Sequence, residues 1–194
     1  GSQGIGYAYE SIKYGLQDFM IAGGAEELSV SEAVMFDVLY ATSINNQDPK
    51  QTPAPFDKNR DGLVIGEGAA TLILEDLETA QSRGAKIYAE LLGYGANSDG
   101  EHMTSQSVSG MKRVMELALE DANLPPEAIG YLNAHGTATE VGDIAESEAI
   151  NKVFGDRIPI SSLKGHFGHT MGACGALETW MTLQMARENW FAPT

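Results

Sequence analysis

Tyr131-Leu132-Asn133-Ala134-His135-Gly136-Thr137-Ala138-Thr139 is a short apolar run that stops at a histidine, followed by small and hydroxyl residues. Farther on, Ile158-Pro159-Ile160-Ser161-Ser162 echoes it and opens into a loop that carries Lys164, His166 and His169. Runs of this length bounded by turn residues predict buried strands, here 129–134 and 158–162. Each is followed by helical spacing, over 143–154 and 171–188. Strand–helix units in succession predict an α/β class. In such proteins chemistry collects at the carboxyl ends of the strands, where helix N-termini converge. Two units that each place a histidine there can bring both imidazoles to one site.

The same alternation runs outward from these two units. Ile5, Ala8, Tyr9 and Ile12 predict a helix that ends near Gly15, and Asp18 to Gly24 a buried strand that closes in glycines. Helices are expected at 31–40, 76–83 and 108–123, and strands at 69–74 and 87–93. Residues 47–61, with Pro49, Pro53 and Pro55, predict a polar loop. The opening Gly1-Ser2-Gln3 and the closing Ala192-Pro193-Thr194 resemble no finished termini, so the chain reads as an interior piece of a longer one.

Composition narrows the class. With 194 residues, 43% of them hydrophobic, the chain is no disordered protein, and no apolar run approaches a membrane span. A net charge of −15 would repel a phosphate backbone, and nothing suggests a nucleic-acid partner. A single cysteine, Cys174, excludes an internal disulfide and suits a reducing compartment, so the expected location is cytoplasmic.

Among the residues able to do chemistry, His135 lies in an open, hydrogen-bonding setting of small and hydroxyl neighbours. His166 and His169 have the spacing of a metal pair, but lack a suitable third ligand, and no metal is expected. Cys174, flanked by Ala173, Gly175 and Ala176, reads as a packing residue rather than a nucleophile. Asp57-Lys58-Asn59-Arg60-Asp61-Gly62 begins like a calcium loop but has Gly68 where the closing glutamate belongs, so local Arg–Asp pairing is the better reading.

Taken together, Asn133-Ala134-His135-Gly136-Thr137 and Lys164 with Gly168-His169 resemble active-site blocks of the β-ketoacyl-acyl carrier protein synthases, the elongating condensing enzymes of fatty acid and polyketide synthesis. Further matches are Ile21-Ala22-Gly23-Gly24-Ala25-Glu26, Pro55-Phe56-Asp57 with Arg60-Asp61-Gly62, Gly66-Glu67-Gly68-Ala69, and Gly142-Asp143 with Glu146. The resemblance runs the length of the chain and is specific in order and spacing. It implies a thiolase-like fold of αβαβα layers, present in part: residues 1–85 as the end of the N-terminal half and 86–194 as most of the C-terminal half. Leu63, Tyr40 and Cys174 depart from the family's usual residues.

The resemblance also implies roles. His135 and His169 would hydrogen-bond the thioester oxygen of the malonyl group, giving the developing enolate two N–H donors. Lys164 and Glu178 would hold the histidine loop as an ion pair, and Asp143 and Glu146 would brace the His135 loop. Thr137, Thr139 and Thr104 would bind the phosphopantetheine arm. The nucleophilic cysteine would lie just upstream of Gly1. No cofactor is implied beyond substrates carried on the phosphopantetheine of acyl carrier protein. That carrier is the implied partner, together with a second subunit in a homodimer or a ketosynthase heterodimer. A non-catalytic chain-length-factor subunit, or a thiolase, is the alternative.

Overall fold

The structure, a computed structural model, describes residues 1–102 and 106–194. The chain begins with α1 (Ser2–Lys13), whose Ile5, Gly6 and Ala8 are buried. Strand β1 (Phe19–Glu26) follows, then α2 (Val30–Val38), capped by the Ser29 hydroxyl accepting the Glu32 N–H. Strand β2 (Gly68–Glu75) returns antiparallel to β1, with Ile21 opposite Ile73 and Gly23 opposite Thr71. The short α3 (Leu77–Ser82) is capped by the Asp76 carboxylate.

The second part opens with α4 (Val108–Ala122), which starts at a Ser107 cap and ends at Asn123 in the left-handed conformation. Strand β3 (Leu132–Asn133) leads to α5 (Glu140–Phe154), and β4 (Ile160–Ser161) to the one-turn α6 (Lys164–Phe167). A 3₁₀ turn over Met171–Ala173 then enters α7 (Cys174–Arg187). Strands β3 and β4 pair in parallel, Leu132 opposite Ile160 and Asn133 opposite Ser161. The two strand–helix units therefore lie side by side, and both loops emerge at the same sheet end.

Helices α1 and α7 pack on the β1–β2 ribbon, and α4 packs on α5. Tyr9 ties the two parts together: its hydroxyl donates to Asp121 Oδ2 at 2.9 Å and sits 3.0 Å from the Leu92 carbonyl oxygen. The core is built of small residues, with Ala8, Ala134, Ala138, Ala149, Ala173 and Ala176 all buried. Yet four of the five largest fully buried side chains are polar: Lys164, Thr170, Asp143 and Ser162, beside Ile150. Burying polar groups costs free energy unless they are bonded. Their concentration around the β3 and β4 loops marks where the fold invests in geometry.

One expected strand is absent. Residues 87–93 join no strand ladder among the described residues, and Ile87, Tyr88, Leu91 and Leu92 are exposed. A strand exists through its ladder, and an apolar run without a partner strand cannot form one. The strands of the two βα units are also shorter than their apolar runs, two residues each.

Candidate active site

The His135 loop is shaped by two carboxylates on α5. Glu146 accepts the backbone N–H of His135 through Oε1 and that of Gly136 through Oε2, both at 2.7 Å. Asp143 Oδ1 accepts the N–H groups of Thr137 at 3.0 Å and Ala138 at 3.2 Å, while its Oδ2 accepts that of Phe56 at 2.7 Å. Ala138 adopts φ +65°, and among the described residues none of the N–H groups from His135 to Ala138 meets a backbone carbonyl. Buried side-chain acceptors take its place. Gly136 is required here: a Cβ on it would lie 2.6 Å from the Ser162 Cβ. Ser162 instead donates its hydroxyl to the Gly136 carbonyl oxygen at 2.8 Å, joining the two loops.

Arg60 clamps the same region from the polar loop. Its Nε lies 3.5 Å from Asp143 Oδ2 and donates to the Thr139 carbonyl at 3.1 Å, while Nη2 reaches the Glu140 carbonyl at 2.7 Å. The local pairing expected of Arg60 reduces to a bond with the Asp57 carbonyl at 2.9 Å; its carboxylate partner is remote in sequence. Thus Asp57–Gly62 is a bracket for the site.

His169 is held differently. Its backbone joins Val64–Gly66 through His169 N–H to Val64 O at 2.7 Å and Gly66 N–H to His169 O at 2.9 Å. The approach depends on Gly168 at φ +76°, where a Cβ would meet the Val64 carbonyl at 2.7 Å. The Met171 N–H donates to His169 Nδ1 at 3.1 Å. Nδ1 is therefore an acceptor, and the neutral ring carries its proton on Nε2.

The two imidazoles meet edge to face, with centroids 5.0 Å apart and planes at 87°. Among the described residues nothing bonds the ring nitrogens of His135, which is surrounded by protein yet keeps an exposed face. Burial, the Lys164 ammonium and His169 hold His135 well below the ordinary histidine range. Burial and Lys164 likewise bring His169 down to about 4. Both shifts favour the neutral form of the rings.

Beneath them lies the Lys164–Glu178 pair, Nζ to Oε1 at 2.5 Å, with the lysine side chain 1% exposed. Burial pushes the Glu178 carboxyl up, against the pull of Lys164 and of a bond from the Asn133 side chain. Burial also raises Asp143 and Glu146, opposed by the N–H groups they accept. Thr137 and Thr139 stand at the rim of the site, their hydroxyls 2.9 Å apart. Thr104 lies outside the described residues. His166 turns away to the Pro193 carbonyl at 2.7 Å. Among the described residues no group of three His, Cys, Asp or Glu side chains is placed to hold a metal.

Of the residues singled out from sequence, His135, His169, Lys164, Glu178, Asp143 and Glu146 gather in one network. Sequence reasoning missed the reach of Arg60, and it missed the contact of Cys174 with His169 Nδ1 at 3.1 Å. An arginine embedded in a proline-rich loop, beside an otherwise unexplained carboxylate motif, was the one available signal for the first.

Residues 88–194 match the C-terminal domain of the β-ketoacyl synthases, and residues 1–80 their N-terminal domain. This chain belongs to the β-ketoacyl synthase family. It is 48% identical over 192 residues to 3-oxoacyl-[acyl-carrier-protein] synthase 1 of Haemophilus influenzae, covering 98% of this chain and 47% of that protein. A crystal structure of a β-ketoacyl synthase from Burkholderia phymatum superposes with a TM-score of 0.98 at 61% identity, over 100% of this chain and 48% of the other. A type II polyketide ketosynthase, solved in complex with its acyl carrier protein, matches with a TM-score of 0.91 at 38% identity, covering 100% and 51%. The chain thus spans about half the length of the curated relatives it matches. Its fold is part of the thiolase-like fold of these ketosynthases. No helix among the described residues is long and apolar enough to cross a membrane.

Proposed function

We propose that the full-length protein is a β-ketoacyl-acyl carrier protein synthase. It condenses an acyl group held on an enzyme cysteine with the two-carbon unit of malonyl-acyl carrier protein, releasing CO₂. One juxtaposition carries the reading: two neutral imidazoles 5.0 Å apart at the ends of paired parallel strands, over a buried Lys164–Glu178 pair.

Breaking the malonyl C–C bond releases CO₂ and leaves its electron pair on the α-carbon, delocalised onto the thioester oxygen. N–H donors from His135 and His169 stabilise that enolate oxygen more than the ground-state carbonyl, which lowers the barrier. The Nε2–H tautomer of His169 supplies such a donor. Neutrality matters equally, because an imidazolium would hand its proton to the enolate and quench it. Burial and Lys164 hold both rings neutral. The α-carbon then attacks the acyl thioester carbonyl, the tetrahedral intermediate collapses, and the cysteine thiolate leaves. The β-ketoacyl product stays on the carrier.

In this scheme the nucleophilic cysteine belongs to the residues that precede Gly1 in the full-length protein. Thr137, Thr139 and Thr104 take the phosphopantetheine arm, and no cofactor enters. The partners are acyl carrier protein and a second ketosynthase subunit. The test incubates the full-length protein with acyl- and malonyl-carrier protein. Equal amounts of CO₂ and β-ketoacyl-carrier protein are expected, and the absence of both products overturns the reading.

A further inference from the structure

Cys174, the first residue of α7, is buried and lies 3.1 Å from Nδ1 of His169. The fully buried Thr170 donates its hydroxyl to the same sulfur at 3.6 Å. Since Nδ1 already accepts the Met171 N–H, it has no proton to give to the sulfur. A sulfur that receives one proton from Thr170 and faces a lone pair on Nδ1 can meet it favourably only by giving its own.

We propose that Cys174 is a positioning residue for His169: its S–H donates to Nδ1 and, with the Met171 N–H, locks the ring in the Nε2–H tautomer. The relay runs from the Thr170 hydroxyl through the thiol to the imidazole, and so to its Nε2–H. Protonating Nδ1 would turn both donors against a third N–H, which keeps the ring neutral. Burial raises the Cys174 thiol, so it stays protonated as donation requires.

The charged and titratable groups around His169 come from several elements. Lys164 is on α6, Glu178 on α7 and His135 after β3; Glu146 faces Lys164 from α5. Glu26 of β1 accepts the Gly172 N–H at 2.9 Å. None of these groups is itself replaced in a Cys174 variant, and the contrast between Ser and Ala separates the lost donor from altered packing.

The inference rests on His169 donating through Nε2 during condensation, but its test does not need turnover. The full-length protein is labelled with ¹⁵N-histidine, and the His169 ring is titrated by NMR in wild type, Cys174→Ser and Cys174→Ala. The expected result is an unprotonated Nδ1 in wild type. The Ala variant should titrate higher by roughly half to one pH unit, the worth of one hydrogen bond to the neutral ring. The Ser variant, which keeps a donor, should titrate at or below wild type. An Ala variant that titrates with wild type, a Ser variant that rises with Ala, or a wild-type Nδ1–H tautomer overturns the proposal. Condensation activity of wild type, measured separately, tests the functional reading alone.

Discussion

At the scale of single residues the site is a set of acceptors placed under strained loops. Glu146 spans two consecutive N–H groups at 2.7 Å each, so Glu146→Ala leaves two buried donors without partners. An unfolding free energy lower by about 2–4 kcal/mol is expected in denaturant titration of the full-length protein, and a smaller loss in Glu146→Gln, which keeps one carbonyl acceptor. Unchanged stability in the Ala variant would mean that water replaces the carboxylate. The placement of His135 and His169 was legible in the sequence because the first closes an apolar run and the second lies in the loop after the next run, so both reach a shared sheet edge. The Cys174–His169 contact was not. Its residues are five apart, a spacing that meets on no helix face, and only the 3₁₀ turn over Met171–Ala173 brings them together.

At the scale of elements, the Lys164–Glu178 pair joins α6 to α7. Removing one partner of a buried pair strands the other charge, so Glu178→Ala should cost about 3–5 kcal/mol. The double variant Lys164→Met/Glu178→Leu should lose less than that single variant, because no unpaired charge remains. A double variant at least as unstable as Glu178→Ala would contradict this. By contrast the exposed i,i+4 pair Lys112–Glu116 on α4 is worth only about 0.3–0.5 kcal/mol. Helices and the strand runs that became β1 and β2 could be placed from periodicity, caps and glycines, which are local signals; the antiparallel pairing of the two strands could not. The strand expected at 87–93 could not be judged so, because a strand depends on a partner that no local signal reveals. The bracket of Arg60 on Asp143 escaped for the same reason, since residues 60 and 143 lie 83 positions apart in the chain.

At the scale of the whole molecule, charge and assembly are coupled to the site. Both histidines titrate lower folded than unfolded, so the unfolded chain binds more protons and stability falls as pH drops. For His169 the window runs from 6.5 to about 4. The buried Asp143, Glu146 and Glu178, all raised, act oppositely and lose stability as pH rises. His169→Asn should therefore flatten the acid side of the stability curve by on the order of 2 kcal/mol, discounted for the ring's partial exposure. An unchanged acid limb would show that the ring is not held neutral. The full-length protein is expected to be a dimer, as the family resemblance implies, and sedimentation at micromolar concentration checks it. The central claim is that the two imidazoles stabilise an enolate, and it is tested most directly by separating decarboxylation from acylation. In full-length His135→Ala and His169→Ala, malonyl-carrier decarboxylation should fall by about 10²–10³, the worth of one preorganised donor, while acyl-enzyme formation is retained far better. Decarboxylation at the wild-type rate in either variant would contradict the claim and leave that histidine a structural role.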